Sequence, residues 1–229
     1  GKTIEPPRIE IHERGEEILR LEDIKLSPRL KGINLKLYRG EILGLAGVEG
    51  NGQRELLEVI TGLLAPDSGK VFYKDREIEH LDPRSVREIG IGFIPEDRQM
   101  TGLILDFSVA ENIILGRHYK EPYTVNGRLN VPVIRDTANK IVNTYDIRTS
   151  SIDKYVRFLS GGNQQKVILG RELWSNPELL IASQPTRGLD IGATEMIHNI
   201  LLSARKNGMA IILHSSDLDE IISLSDRIA

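Results

Sequence analysis

The sequence predicts an α/β fold: a mainly parallel sheet with helices on both faces and a helical subdomain inserted between strands. Three observations carry this expectation. The segment EILGLAG (41–47) is a short apolar run ending in glycine, and a Gly-rich turn and a helical pattern follow it. Beyond about residue 175, apolar runs alternate with helical patterns, the arrangement that joins parallel strands through crossover helices. From about 97 to 175 the pattern is mainly helical, which reads as an insertion into the sheet.

Taken in order, residues 1–16 are charged and carry Pro6 and Pro7 side by side, as expected of a linker from something upstream. The folded domain is expected over 17–229, cut at both ends, with the C-terminus truncated where SDRIA begins another apolar run. QRELLEVITGLL places Leu56, Leu57, Ile60 and Leu64 on one helical face. VFYKD (71–75) and IGIGFIPE (89–96) read as strands. SVAENIILG and VIRDTANKIVNTYDI read as helices, the second with Ile134, Ala138, Ile141, Val142 and Tyr145 in register. LSGGNQQKVILGRELW precedes the strand LLIAS (179–183), then a helix closed by Gly208, the strand MAIILHS and the helix SDLDEIISLS. Ser216 with Asp219 is positioned as the start of a capping arrangement.

With 40% hydrophobic and 28% charged residues the chain is globular rather than disordered. A net charge of −3 without a long basic run argues against nucleic acid as a partner. The lack of cysteine excludes a disulfide framework and a thiolate metal site, and fits the cytosol. No apolar stretch approaches the ~20 residues that span a bilayer. A membrane role therefore has to come through a partner.

Two segments carry candidate chemistry. In GVEGNGQRE (47–55) the glycines fall where a phosphate-cradling loop needs them, but neutral Gln53 stands where such a loop carries lysine. Arg54 stands where serine or threonine is expected. In LSGGNQQKV (159–167) Ser160 caps a helix whose first turn starts at the glycines. That segment reads equally as an ordinary capped helix or as an anion site built from amides and the helix dipole. Trp174 reads as core packing, and REIEHLDPRSVRE (76–88) as a solvated face.

LSGGNQQ resembles the signature sequence of the ATP-binding cassette (ABC) ATPases. LLIASQPTRGLD (179–190) is similar to that family's second acidic motif and the loop after it, and GVEGNGQRE and IILHSSDLDE (211–220) sit where its phosphate loop and switch histidine belong. Order and spacing agree over roughly 17–229. The wording of GLAGVEGNGQRELLEVITG, FIPEDR, LSGGNQQKV and QPTRGLDIGA most resembles the second cassette of tandem ATPase subunits serving importers of simple sugars and nucleosides. The resemblance implies a phosphate-loop NTPase fold with an N-terminal antiparallel β region. It also implies ATP as ligand, a cytoplasmic position on the inner face of the cell membrane, and as partners a second cassette (upstream in the same chain or separate) and transmembrane permease subunits.

Carried over by position, the resemblance assigns nucleotide binding to Gly47, Val48, Glu49, Gly50, Asn51, Gly52, Gln53 and Arg54. Ser160, Gly161, Gly162, Asn163 and Gln164 form the signature, reaching in trans to ATP on the partner cassette. The remaining functional positions are replaced: Glu96 stands for the glutamine that links nucleotide to permease, Ser183 for a metal-holding aspartate, Gln184 for the water-orienting glutamate and Ser216 for the switch histidine. No catalytic residue and no metal ligand is assigned: magnesium would meet a site whose usual ligands are gone. No adenine-stacking aromatic is evident in LEDIKLSPRLKGI. Arg54 is expected to neutralise phosphate in place of metal, to pair with Glu96, or to be a solvated first-turn residue. His214 lies beside the switch position, but strand alternation points it away from Ser215. The reading is therefore a nucleotide-binding, weakly or non-hydrolytic cassette. Its alternatives are an autonomous ATPase with substituted residues and a structural module that binds no nucleotide.

Overall fold

A computed structural model describes residues 15–47 and 50–229. Its elements in chain order are β1 (Glu17–Leu26), β2 (Leu30–Tyr38), β3 (Ile42–Leu45), α1 (Gln53–Ile60), β4 (Ser68–Tyr73), β5 (Arg76–Glu77), α2 (Pro83–Glu88) and β6 (Ile91–Ile94). There follow α3 (Val109–Ile114), β7 (Thr124–Val125), β8 (Arg128–Leu129), α4 (Val131–Thr144), α5 (Gly161–Leu173), β9 (Leu179–Ser183), α6 (Ile191–Lys206), β10 (Ala210–His214), α7 (Leu218–Leu224) and β11 (Arg227–Ile228). The chain divides into two compact units. One holds the described residues up to Phe93 with Glu178–Gln184 and His198–Ala229; the other holds Ile94–Pro177 and Pro185–Ile197.

The first unit contains two sheets. One is antiparallel, in the order β2-β1-β4-β5, and the other runs β11-β3-β10-β9-β6. The pairs β3–β10, β10–β9 and β3–β11 are parallel. Every residue of β3, β9 and β10 is buried, so these strands read as continuous apolar runs rather than alternating ones. Leu43, Ile181 and Ile212 from the parallel sheet share one core with Leu21 and Leu37 from the antiparallel sheet and with Leu57 and Ile60 from α1. Each such side chain contributes about 1.5–3 kcal/mol on leaving water. The core is thus the reason the strand ends stay level.

Several boundaries differ from the sequence reading. Helix α1 stops at Ile60 because Gly62 turns left-handed, with φ +74°, in a place where a Cβ would lie 2.4 Å from the Leu81 carbonyl oxygen. Leu64 is consequently outside the helix and 37% exposed, and Val59 is buried in its stead. The strand read at 71–75 closes at Tyr73, since Lys74 and Asp75 take φ of 49° and 61° and turn the chain into β5. Helix α7 is capped by Asp217, not Ser216: the Asp217 carboxylate accepts from the amides of Asp219 and Glu220. Trp174 ends α5 at 38% exposure rather than in the core.

At the opposite end of the parallel sheet, Glu178 enters β9 between Arg39 and Lys74 and accepts a hydrogen bond from each. Lys74 first, then Arg39, hold its carboxyl below the usual 4.5, while burial pushes the nearby Tyr73 hydroxyl up to about 12. A depressed carboxylate stabilises the fold above its unfolded value and loses that contribution as pH falls through its folded value. Stability of the wild type should therefore drop faster than that of Glu178→Gln as pH is lowered below 4.5. Equal slopes in urea melts across that range would remove this role.

The second unit is mainly helical, with the small β7–β8 hairpin among the helices. Ser108 and Glu111 form a reciprocal capping box at the start of α3. Asn112, fully buried, accepts from the Ile104 amide at 2.9 Å and donates to the carbonyls of Ile104 and Ser108, both at 3.0 Å, so it fastens the preceding loop. Helices α4 and α5 meet at Gly170, where a Cβ would come within 2.6 Å of Ile141 Cγ2 and 3.1 Å of Tyr145 Cδ2. Gly→Ala inside a helix ordinarily gains about 0.5–1 kcal/mol, but overpacking a core costs about 1–3 kcal/mol. Gly170→Ala should therefore lower the melting temperature, and a rise would contradict this close approach.

Candidate functional site

The parallel registers put Leu45, His214 and Ser183 side by side at the carboxyl ends of β3, β10 and β9. Ligands of open α/β sheets bind at that edge. The loop leading to α1 leaves from Leu45; Gln184 follows Ser183 directly and Ser216 follows His214 by two residues. The sheet thus gathers Gly47, Gly50, Asn51, Gly52, Gln53, Arg54, Ser183, Gln184 and Ser216 in the first unit. Val48 and Glu49 lie outside the described residues.

In the loop, Gly50 and Gly52 have φ of +91° and +102°, so the chain turns as only glycine does readily. Gly52 starts α1 with no side-chain cap, which leaves first-turn amides to a ligand or water. The Gln53 side chain folds back over the loop: its Nε2 occupies the place of a Gly47 Cβ, 1.8 Å from where that atom would be. Arg54 instead points along α1, donating from Nε to Glu58 Oε1 at 2.8 Å, with 70% of its side chain exposed. Glu58 is thus a partner of Arg54, and the exposure agrees with the reading of a solvated first-turn residue. A second cation comes from the β1–β2 turn. Arg29 donates from Nη1 to the Gly50 carbonyl at 2.7 Å, and its Nε lies 3.1 Å from Glu55. The sequence reading missed it, because nothing in SPR signals a contact with a loop some twenty residues away.

Beyond the strand ends, Ser183 Oγ and His214 Nδ1 share a buried hydrogen bond of 3.0 Å. His214 therefore serves Ser183 and does not take the place of Ser216. Gln184 takes φ 49°, a left-handed conformation that costs a residue of this type about 1–3 kcal/mol. Its amide donates to the His214 carbonyl at 2.7 Å, and its Oε1 accepts from both the amide and the hydroxyl of Ser216 at 3.2 Å. Among the described residues no group of three or more His, Cys, Asp or Glu is arranged to hold a metal ion.

The remaining candidates lie in the second unit. Glu96 accepts from Arg187, and Arg98 donates to the Arg187 carbonyl at 2.7 Å. The Arg98 guanidinium also covers the helix start, with Nη2 2.9 Å from a Cβ placed on Gly161. Arg98 stands in FIPEDR, yet only its contacts expose its role. Asp97 anchors the same turn by accepting from the amides of Met100 and Gln99, which in that order hold its carboxyl below the usual range. Ser160 caps α5 as expected, its Oγ accepting from the Asn163 main-chain amide at 3.4 Å and also from Asn163 Nδ2 at 2.8 Å. Gly162 packs on Ala193. Asn163 is half-buried and accepts from the Arg148 amide, while buried Gln164 donates to the Val156 carbonyl. Ser160 is the exposed residue of the motif.

This arrangement has known counterparts. The ABC transporter family matches residues 30–187. The chain is 46% identical over 220 residues to the guanosine import ATP-binding protein NupO of Bacillus subtilis (strain 168), a match covering 94% of this chain and 43% of that protein. It is 45% identical to the nucleoside import ATP-binding protein NupA of Lactococcus lactis subsp. cremoris (strain MG1363), over 92% of this chain and 42% of that one. Among solved structures, a nucleotide-free ATP-binding cassette from an ABC transporter superposes with a TM-score of 0.78 at 26% identity, covering 93% of this chain and 86% of the other. The ATP-binding cassette MJ0796, in a dimeric post-hydrolysis state with ADP and Pi, gives 0.76 at 25% identity, over 92% and 93% of the two chains. The chain belongs to the ABC transporter family, with the phosphate-loop ABC ATPase fold. It spans less than half the length of the curated relatives named here. The family implies ATP as ligand, usually with magnesium.

Gly52→Ala would place a methyl group at φ +102° and 2.9 Å from Leu30 Cδ2. Strain alone costs about 1–3 kcal/mol. Chemical denaturation should show at least that loss, with exposed Asn51→Ala near neutral; an unchanged midpoint for Gly52→Ala would refute the loop geometry.

Proposed function

We propose that this chain is the second cassette of a tandem ATP-binding subunit, binding ATP at its own loop with little or no hydrolysis. In this reading residues 17–229 form the cassette, 1–16 lead from an upstream cassette, and the helical subdomain covers about 97–175. The subunit works on the cytoplasmic face of the membrane with permease subunits. No described helix is long and apolar enough to cross a membrane. Import of a nucleoside or simple sugar is supported by the functions named for the guanosine, nucleoside and glucose import relatives. The tandem arrangement is supported by the large part of each relative that lies outside the match. Ser160 and Gly161, at the start of α5, are the residues that would meet ATP held by the partner cassette.

One observation carries the non-hydrolytic reading: the positions that would hold metal and water are neutral and already hydrogen-bonded inside the chain. Ser183 bonds to His214 and Gln184 to Ser216. Arg54, where a magnesium-ligating hydroxyl would stand, is a cation paired with Glu58. This donor set does not fit a divalent cation, which takes oxygen ligands, chiefly carboxylates and hydroxyls. Phosphoryl transfer depends on positioning and charge neutralisation. Removal of a single preorganised donor costs about 10²–10³ in rate, so several together leave almost none. Binding is spared, because the loop amides and the start of α1 remain.

Calorimetry and phosphate release on the purified chain test this reading. ATP should bind equally in EDTA and in magnesium, with no release above background. Gln53→Lys should tighten binding about tenfold or more, the effect of one charge-assisted hydrogen bond. Brisk turnover that depends on Gln184 would instead establish an autonomous ATPase. Absence of any binding would establish a structural cassette whose loop is filled by Gln53, a reading favoured by the Gln53 amide lying over Gly47.

A further inference from the structure

The β1–β2 turn holds the Gly-rich loop from behind. Arg29, in that turn, donates from Nη1 to the Gly50 carbonyl at 2.7 Å, and its Nε lies 3.1 Å from Glu55 Oε1 in the first turn of α1. The side chain has a fixed base: the Arg29 amide donates to the Leu26 carbonyl at 2.9 Å, and the Ser27 amide donates to Asp67 Oδ2 at 2.7 Å. A Cβ on Gly52 would meet Leu30 Cδ2 at 2.9 Å and the Arg29 carbonyl oxygen at 3.4 Å, so the turn lies directly against the loop. Arg29 and Leu30 therefore close one side of the loop, and a ligand has to enter from the other.

What Arg29 does to the loop follows from the peptide unit. A trans peptide is planar, and its C=O and N–H point in opposite directions. With the Gly50 carbonyl turned to Arg29, the Asn51 N–H points to the open side. It donates to no other described residue. Gly50, at φ +91°, does not choose this orientation by itself. Without a Cβ its backbone tolerates the next peptide in either orientation, and the reversed one would aim an oxygen where an anion has to sit. Arg29 makes the choice through a charge-assisted hydrogen bond. Its Nε and Nη1 are both engaged within the chain, so the guanidinium acts on the loop from behind rather than on the ligand.

Resting on the reading that nucleotide occupies this loop, we propose that Arg29 is a positioning residue for the polyphosphate: through the Gly50 carbonyl it turns the Asn51 amide onto the ligand, without touching nucleotide itself. A loop that wraps phosphates with its main chain depends on the orientation of each peptide unit. Arg29 then contributes affinity for di- and triphosphate alike and leaves the choice between them to other groups.

The experiment is titration of the purified chain with ADP and with ATP in EDTA, for the wild type, Arg29→Met and Arg29→Lys. The Arg29 side chain is 44% exposed, so both variants should melt close to the wild type. Arg29→Met, which has no donor, should weaken both nucleotides by the same factor, about tenfold or more, the range of one hydrogen bond to a charged group. Arg29→Lys, which can still donate to the Gly50 carbonyl, should recover most of that loss. In ¹⁵N-labelled protein the Asn51 main-chain amide signal should move on saturation with ADP in the wild type and in Arg29→Lys, and stay nearly in place in Arg29→Met. Three results would overturn the proposal: undiminished binding by Arg29→Met, a loss confined to ATP, which would mark a direct contact with the terminal phosphate, or an Asn51 signal that responds alike in every variant. Binding of neither nucleotide by the wild type would remove the underlying reading together with this one; undiminished binding by Arg29→Met removes this one alone.

Discussion

The constraint on which this molecule depends is the parallel pairing of β3, β10 and β9, three strands buried along their whole length. Because their side chains have no solvent face, the strands cannot slip by a residue without breaking the core on both sides. The pairing keeps Leu45, His214 and Ser183 level. Three loops then leave one edge together, and residues separated by well over a hundred positions share a site. The core shared with the antiparallel sheet and α1 holds that edge in place.

Several charged side chains are paired within the chain. Arg54 turns to Glu58 and Arg29 to Glu55; in the other unit Glu96 takes Arg187. The positions that would face metal and water carry neutral side chains, Ser183 and Gln184, each engaged by a neighbour on β10 or just past it. Hydrolytic sites instead hold charges poised for the transition state. The proposed reading rests on this contrast: a turn rich in main-chain donors beside neutral side chains.

Much of the architecture is legible in the sequence. LLIAS was read at 179–183 and forms β9 with those bounds, because a buried parallel strand is simply a short apolar run. Ser160 was read as a cap and is one. Errors fell where local signals compete. Leu64 obeyed helical spacing, but Gly62 ended the helix before it. Ser216 looked like a cap, yet Asp217 caps α7 while Ser216 turns to Gln184. Trp174 was assigned to the core by its type, although it sits at a helix end with a face in water. In the signature motif, the glycine pattern could not reveal that Gln164 is buried against the carbonyl of Val156.

The sequence by itself determined the alternation of strands and helices, the glycine turn and the capped helix at Ser160. Those depend on spacing and side-chain chemistry, which are local. Only the tertiary structure decided that Arg54 pairs with Glu58, that Arg29 and Arg98 lie on glycines distant in sequence, that Ser183 and His214 share a hydrogen bond, and that Gln184 Nε2 is buried without an acceptor among the described residues. Each of these is a contact between segments distant in the chain, or a choice among rotamers. Such choices are made by packing and by competition for hydrogen-bond partners, which no spacing along the chain encodes.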